Sequence, residues 1–113
     1  MRVLIADDEA AYLSACCTIL AQDGHEVVAC ATFEEAHRHL IEDRFDALIA
    51  DVRLGAYNGL HLITLAAPAT LKIAVSAYVD TVIRQEAERA GARFVLKPAD
   101  CASVSPLLPA NVV

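Results

Sequence analysis

What this 113-residue sequence lacks narrows the possibilities quickly. No apolar run reaches the roughly 18 residues that a membrane-spanning helix needs, although 57% of the chain is hydrophobic and its mean hydropathy is +0.44. Richness in Ala, Val, Ile and Leu without a long run points instead to a sheet buried on both faces. The opening MRVLIADDE meets acids after a few apolar residues, unlike a signal peptide, so a cytoplasmic protein with no membrane association is expected. Basic residues are outnumbered 9 to 15, the net charge is −6 and the pI about 5.0. Such a chain offers no phosphate-tracking surface, and direct nucleic-acid binding is not expected of it. Cys16, Cys17, Cys30 and Cys101 form no C-x-x-C pair and no zinc spacing. They read as small core residues. There is no internal repeat or low-complexity tract, and the length suits one domain over residues 1–113, whether free or trimmed from a longer chain.

What is present alternates strands with helices. Arg2 to Ala6 is an apolar strand that ends in Asp7-Asp8-Glu9. Leu13, Cys16, Cys17 and Leu20 then follow helical spacing as far as Gly24. Glu26 to Ala31 is a second strand. Thr32 and Glu35 have capping-box spacing, with Phe33, Ala36, Leu40 and Ile41 as the inner face of the next helix. His37 and His39, two apart, do not share a face and read as solvent-side residues. Ala47 to Ala50 is apolar at every position, as suits a strand covered on both sides, and Asp51 ends it. A turn-rich loop with Arg53, Gly55, Asn58 and Gly59 leads into a short helix to Ala66, closed by Pro68. Leu71 to Val75 is the fourth strand, ending at Ser76-Ala77. Asp80 caps a helix over 81–90 that stops at Gly91, and Arg93 to Lys97 is the fifth strand, with Pro98 immediately after.

This rhythm predicts βαβ units and a doubly wound, five-stranded parallel sheet of the flavodoxin-like order 2-1-3-4-5. In that order the first and third strands are neighbours, so Asp7, Asp8 and Asp51 converge at the carboxyl edge, where such sheets bind ligands. Taken alone, the acid pair reads first as a cap for the first helix, whose N-terminus favours negative charge. Three carboxylates together repel unless a cation joins them, and hard oxygen donors beside a phosphate site suit Mg²⁺. Lys97 and the Ser76 hydroxyl supply a point charge and a donor for phosphoryl oxygens on the far side. The other lysine, Lys72, starts its strand, away from that edge.

Asp7-Asp8, Asp51 with Gly59 eight residues on, Ser76-Ala77 and Lys97-Pro98 stand in order at successive strand ends. In these elements the chain resembles the response-regulator receiver domains of two-component signalling, of the chemotaxis-receiver type, over about residues 2 to 105. The resemblance implies that Asp51 accepts a phosphoryl group from a histidine kinase or histidine phosphotransfer protein; a carboxylate is a competent covalent acceptor. It implies Mg²⁺ held by Asp8 directly, by Asp7 through water, by Asp51 and by the Arg53 backbone carbonyl. Ser76 and Lys97 would grip the phosphoryl oxygens, and Lys97-Pro98 would be a cis bond. Phe94 falls at the aromatic switch position and works with Ser76, while Arg53 and Tyr78 flank the path of the hydrolytic water. Such a domain catalyses only its own phosphorylation and dephosphorylation and is not otherwise an enzyme. An output domain or downstream protein would read its state.

Other features depart from the family. Gly55 stands where receivers commonly have proline, which predicts a looser loop. The segment from Gly59 to Ser76 is short, predicting a shortened third helix. Pro106 and Pro109 limit the fifth helix to about two turns. Arg93 replaces an acid that helps many receivers dimerise through the fourth helix, fifth strand and fifth helix, so that dimer is not expected to carry over. Two other functions fit the same fold: a phosphate-independent pseudo-receiver that only binds partners, and an aspartyl-phosphate phosphatase. The first is opposed by the full set of phosphorylation residues. Against the second, phosphatases with an aspartyl intermediate place nucleophile and acid two apart after the first strand, whereas here residue 9 is Glu and the isolated acid, Asp51, follows the third strand.

Overall fold

Five strands that are apolar on both faces can hide their side chains only between two helical layers, and the chain folds in that way. The computed structural model describes residues 1–97 together with Pro106 and Leu108. Its elements are β1 (Arg2–Ala6), α1 (Ala10–Gln22), β2 (Glu26–Cys30), α2 (Phe33–Glu42), β3 (Ala47–Asp51), β4 (Arg53–Leu54), β5 (Tyr57–Asn58), α3 (Leu60–Leu65), β6 (Leu71–Ser76), α4 (Thr81–Arg89) and β7 (Ala92–Leu96). The main sheet has the order β2-β1-β3-β6-β7, parallel throughout, which is the expected doubly wound order. The expected fifth helix and the Lys97-Pro98 bond fall outside the described residues. Among the described residues, no helix is long and apolar enough to cross a membrane.

Alternation along each strand sorts the core into two halves. Val3, Ile5, Ala47, Ile49, Ile73 and Val75 pack on one face with Cys16 and Leu20 of α1, and Leu108 joins them. Leu4, Ala6, Leu48, Ala50 and Ala74 face the other way, against Ala36 of α2, Leu62 and Ile63 of α3 and Ala87 of α4. The helix starts follow the sequence signals. Thr32 Oγ1 accepts the Glu35 N–H at 3.2 Å, and Asp80 Oδ1 accepts the N–H groups of Val82 and Ile83 at 3.0 and 3.1 Å.

The structure corrects several details. Ile41 is 63% exposed and not on the inner face of α2. It lies about 100° around the helix from Leu40, and α3 is only six residues long, too short to cover it. A cleft of ≈ 490 Å³ runs there, lined by Leu40, Ile41, Leu65 and Ala67 among others. The brief exit from α3 is closed by Lys72, whose Nζ donates to the carbonyls of Ala67 and Thr70 at 3.1 and 3.2 Å. His37 and His39 are half-buried against aromatic rings, Phe33 and Phe45 respectively. Cys17 and Cys30 are free thiols, and burial, with Glu35 second, pushes Cys30 up to about 11. Cys16 is disulfide-bonded, which corrects its reading as a plain core thiol. The loop after Asp51 forms a two-stranded antiparallel hairpin, β4–β5.

Candidate functional site

The parallel register brings the strand ends level. Ala6 pairs with Ala50 and Asp51 with Val75, so Asp7, the residue after β1, lies beside Asp51, the last of β3. The same alternation that put Val3, Ile5, Ile49 and Val95 on the α1 face sends Asp7, Asp51 and Lys97 to that face too. All three are buried.

Lys97 Nζ joins them. It lies 2.8 Å from Asp7 Oδ2 and 3.0 Å from Asp51 Oδ2, with Glu9 Oε2 farther off at 3.5 Å. The Tyr12 ring of α1 covers the ammonium, 4.4 Å from Nζ to its centroid. Each carboxylate is also fixed by a backbone donor. Asp7 Oδ1 accepts the Glu9 N–H at 2.9 Å, and Asp51 Oδ1 accepts the Arg53 N–H at 2.9 Å. Asp8, which is exposed, accepts the Gly55 N–H on Oδ2 at 3.1 Å.

The charges are out of balance. Burial raises Asp7 above the ordinary carboxylate range, against the hydrogen bond from Lys97, which lowers it. Burial lowers Lys97, but its hydrogen bonds to Asp7 and Asp51 outweigh that and leave it raised. One ammonium therefore serves two buried acids, with a third nearby.

Ligand oxygens of Asp7, Asp8 and Asp51 all lie within 4.8 Å of one another. At that separation each pair of carboxylates repels by roughly 3–4 kcal/mol at an effective dielectric constant of about 20. A small dication among them would relieve what Lys97 cannot. The donors are all hard carboxylate oxygens, two buried and one open to solvent, which fits Mg²⁺ retaining several waters.

Ser76 leaves the sheet on the opposite face, with Ala74. Its Oγ donates to the Tyr78 carbonyl at 3.0 Å and accepts the Tyr78 N–H at 3.1 Å, so its hydroxyl is committed to its own loop. Phe94 shares that face, half-buried against the core and beside a cleft of ≈ 150 Å³ lined by Val79, Asp80, Thr81 and Arg84. Arg53 and Tyr78, both exposed, stack with the guanidinium carbon 4.9 Å from the ring centroid. They line a cleft of ≈ 290 Å³ that Ser76 also reaches.

Gly59 earns its place sterically. Its N–H donates to the Val52 carbonyl at 2.9 Å, and a Cβ here would overlap the Asp51 carbonyl oxygen and lie 2.9 Å from its carbon. The start of α3 thus rests on the Asp51 peptide. Sequence reasoning missed Tyr12 and Glu9 as neighbours of Lys97, and the Gly55 N–H as a partner of Asp8. Glu9 and Tyr12, two and five residues beyond Asp7 at the start of α1, were the available signal for the first two.

A family model described as "Response regulator receiver domain" matches residues 3–105. Among curated proteins, the chain is 33% identical over 103 residues to the alginate biosynthesis transcriptional regulatory protein AlgB of Pseudomonas aeruginosa, a match covering 86% of this chain and 22% of that protein. It is 31% identical over 106 residues to the sensory/regulatory protein RpfC of Xanthomonas campestris pv. campestris, covering 87% and 15%. The chain therefore spans about a fifth of the length of the first of these relatives and about a seventh of the second. Among solved structures, a response regulator receiver domain protein (CheY-like) from Methanospirillum hungatei JF-1 superposes with a TM-score of 0.87 at 28% identity, covering 94% of this chain and 88% of that one. A Burkholderia pseudomallei response regulator with a phosphorylated aspartic acid and a calcium ion shares the fold, with a TM-score of 0.85 at 24% identity, covering 97% and 67%.

Proposed function

This chain belongs to the response-regulator receiver family, and from that premise we propose that it is a phosphoacceptor switch whose acceptor is Asp51. The observation that carries the proposal is Lys97, bridging buried Asp7 and Asp51 at the carboxyl edge with Asp8 within metal-ligand reach. In the transfer, an Asp51 oxygen attacks the phosphorus of a phosphohistidine on a kinase or phosphotransfer protein. A P–O bond forms, the P–N bond breaks and the imidazole leaves, giving an aspartyl phosphate.

The chain's own groups prepare that step. The Arg53 N–H holds one oxygen of Asp51 and Lys97 holds the other, which fixes the carboxylate against rotation. Lys97 is already beside the reacting oxygen, so it follows the developing charge onto the phosphoryl group with little movement. Asp7, Asp8 and Asp51, with the Arg53 carbonyl, would hold Mg²⁺. When bound, the ion neutralises phosphoryl oxygens and the acid cluster together.

Phosphorylation then exerts its effect through Ser76. Its hydroxyl leaves Tyr78 for a phosphoryl oxygen, and the moving loop opens room for Phe94 to turn inward from its half-buried position. Residues 1–113 act as one receiver domain, read by an output domain or a separate protein. Intact-protein mass spectrometry after acetyl phosphate and Mg²⁺ tests the acceptor: the wild type gains one phosphate and Asp51→Ala gains none. Equal uptake by the two would refute the assignment.

A further inference from the structure

The hairpin β4–β5 occupies an unusual position. Its two-residue turn has Gly55 at φ +59 and no positive φ at Ala56, the pattern of a type II′ turn. Gly55 donates its N–H to Asp8, 47 positions away in the chain. Proline at this position could neither donate nor adopt that φ. Leu54, the β4 residue beside the turn, is buried and pins the hairpin there. Its cross-strand partner Tyr57 lies flat on Phe33, the first residue of α2, with ring centroids 4.8 Å apart and 17° between the planes. Phe33 in turn stacks on His37 of α2 at 5.8 Å and meets His61 of α3 edge-on at 6.5 Å. One short hairpin therefore touches a carboxylate of the acid cluster with its turn and an aromatic stack on α2 and α3 with its side.

We infer that this hairpin couples the cation-binding carboxylate Asp8 to the α2–α3 face, with the Gly55 N–H as the positioning group at one end and the Tyr57–Phe33 stack as the readout at the other. The inference rests on the reading of Asp8 as a ligand of Mg²⁺. With Oδ2 held by Gly55, the other oxygen of Asp8 is presented to the cation. A cation on that oxygen draws the carboxylate, and the Gly55 N–H bonded to it, toward the acid cluster, and the turn shifts. Leu54 is pinned, so the motion pivots the hairpin about it and presses Tyr57 more closely onto Phe33. Coupling of this kind is reciprocal: loosening the stack must also weaken the cation.

The test is a Mg²⁺ titration followed by NMR of the aromatic side chains, with calorimetric Mg²⁺ affinities for variants. In the wild type the ring resonances of Tyr57, Phe33 and His37 should move along the same binding curve as the amides of Asp8 and Asp51. Tyr57→Ala should weaken Mg²⁺ about fivefold, and Tyr57→Phe, which keeps the stack, should restore it. Gly55→Pro should weaken Mg²⁺ about tenfold, as loss of an outer-shell partner does. Gly55→Asn keeps the N–H and, among residues with a side chain, adopts a positive φ most readily, so it should lose less affinity than Gly55→Pro. Static aromatic resonances, or unchanged affinity in Tyr57→Ala, while the Asp8 and Asp51 amides still titrate would overturn the coupling and leave the proposed switch standing. If nothing titrates, the metal site itself is wrong and the coupling falls with it.

Discussion

Replacing Lys97 with methionine keeps an unbranched apolar stem, one heavy atom shorter, and removes the ammonium. In the wild type that ammonium lies within 3.0 Å of both Asp7 and Asp51 and is itself buried under Tyr12. Its loss leaves two buried carboxylates facing each other without a counter-charge. Breaking a buried pair by removing one partner costs about 3–5 kcal/mol, against a total stability of about 5–15 kcal/mol for a domain of this kind. Lys97→Met should therefore fold, with a urea midpoint well below that of the wild type in EDTA. Mg²⁺ at a hundred times its dissociation constant should return about 2.7 kcal/mol, since the ion supplies the missing charge. Acid should help as well. Asp7 has a raised folded-state value, so the native state binds its proton more tightly than the unfolded chain does. Its contribution to stability is therefore greatest below the ordinary 3.8 and is lost as pH rises through the folded value. Removing Lys97, which lowers Asp7, widens that window upward, and the variant should lose more stability than the wild type on going from mildly acidic to neutral pH. A loss under about 1 kcal/mol in EDTA, the range of an exposed ion pair, or a midpoint indifferent to Mg²⁺, would refute the geometry and charge balance described for the site.

Two further outcomes follow from the same neighbourhood. Gly59→Ala forces a methyl into the Asp51 carbonyl, so it should cost about 1–3 kcal/mol by overpacking and slow labelling of Asp51 by acetyl phosphate, measured by urea unfolding and mass spectrometry; wild-type stability would show that α3 yields freely. Arg53 and Tyr78 stack over the cleft that Ser76 reaches, and shielding by the pair should make the phosphorylated form long-lived, decaying over many minutes. Arg53→Asn with Tyr78→Ala should then release phosphate roughly tenfold faster, about 1.4 kcal/mol of barrier, and unchanged decay in a phosphate-release assay would remove shielding as the cause.

Much of this protein was legible in one dimension because strong local signals and a restrictive topology agreed. Ala47 to Ala50 is apolar throughout, so β3 had to be a doubly covered strand, and a carboxylate closing such a strand in a parallel sheet lands at the ligand-binding edge. Thr32 and Asp80 cap their helices from side chains adjacent in sequence, which is why those starts could be read directly. The burial of α2 was only partly readable. Phe33, Ala36 and Leu40 pack as the spacing implies, but Ile41 sits at the border of the stripe, and whether it is covered depends on how far α3 extends beside it. The hairpin β4–β5, two residues per strand, is too brief for any periodicity to register, and it is defined by a turn and by partners far along the chain. Gly55 meets Asp8, Tyr57 meets Phe33 and Tyr12 covers Lys97 only because the sheet order places their loops together. Local pattern thus determined which residues end the strands, since hydrophobic period and turn chemistry act over a few residues. Tertiary structure alone decided which of those ends share a face and which carboxylate each backbone N–H serves, because alternation fixes a side chain's face only once the register between strands is set.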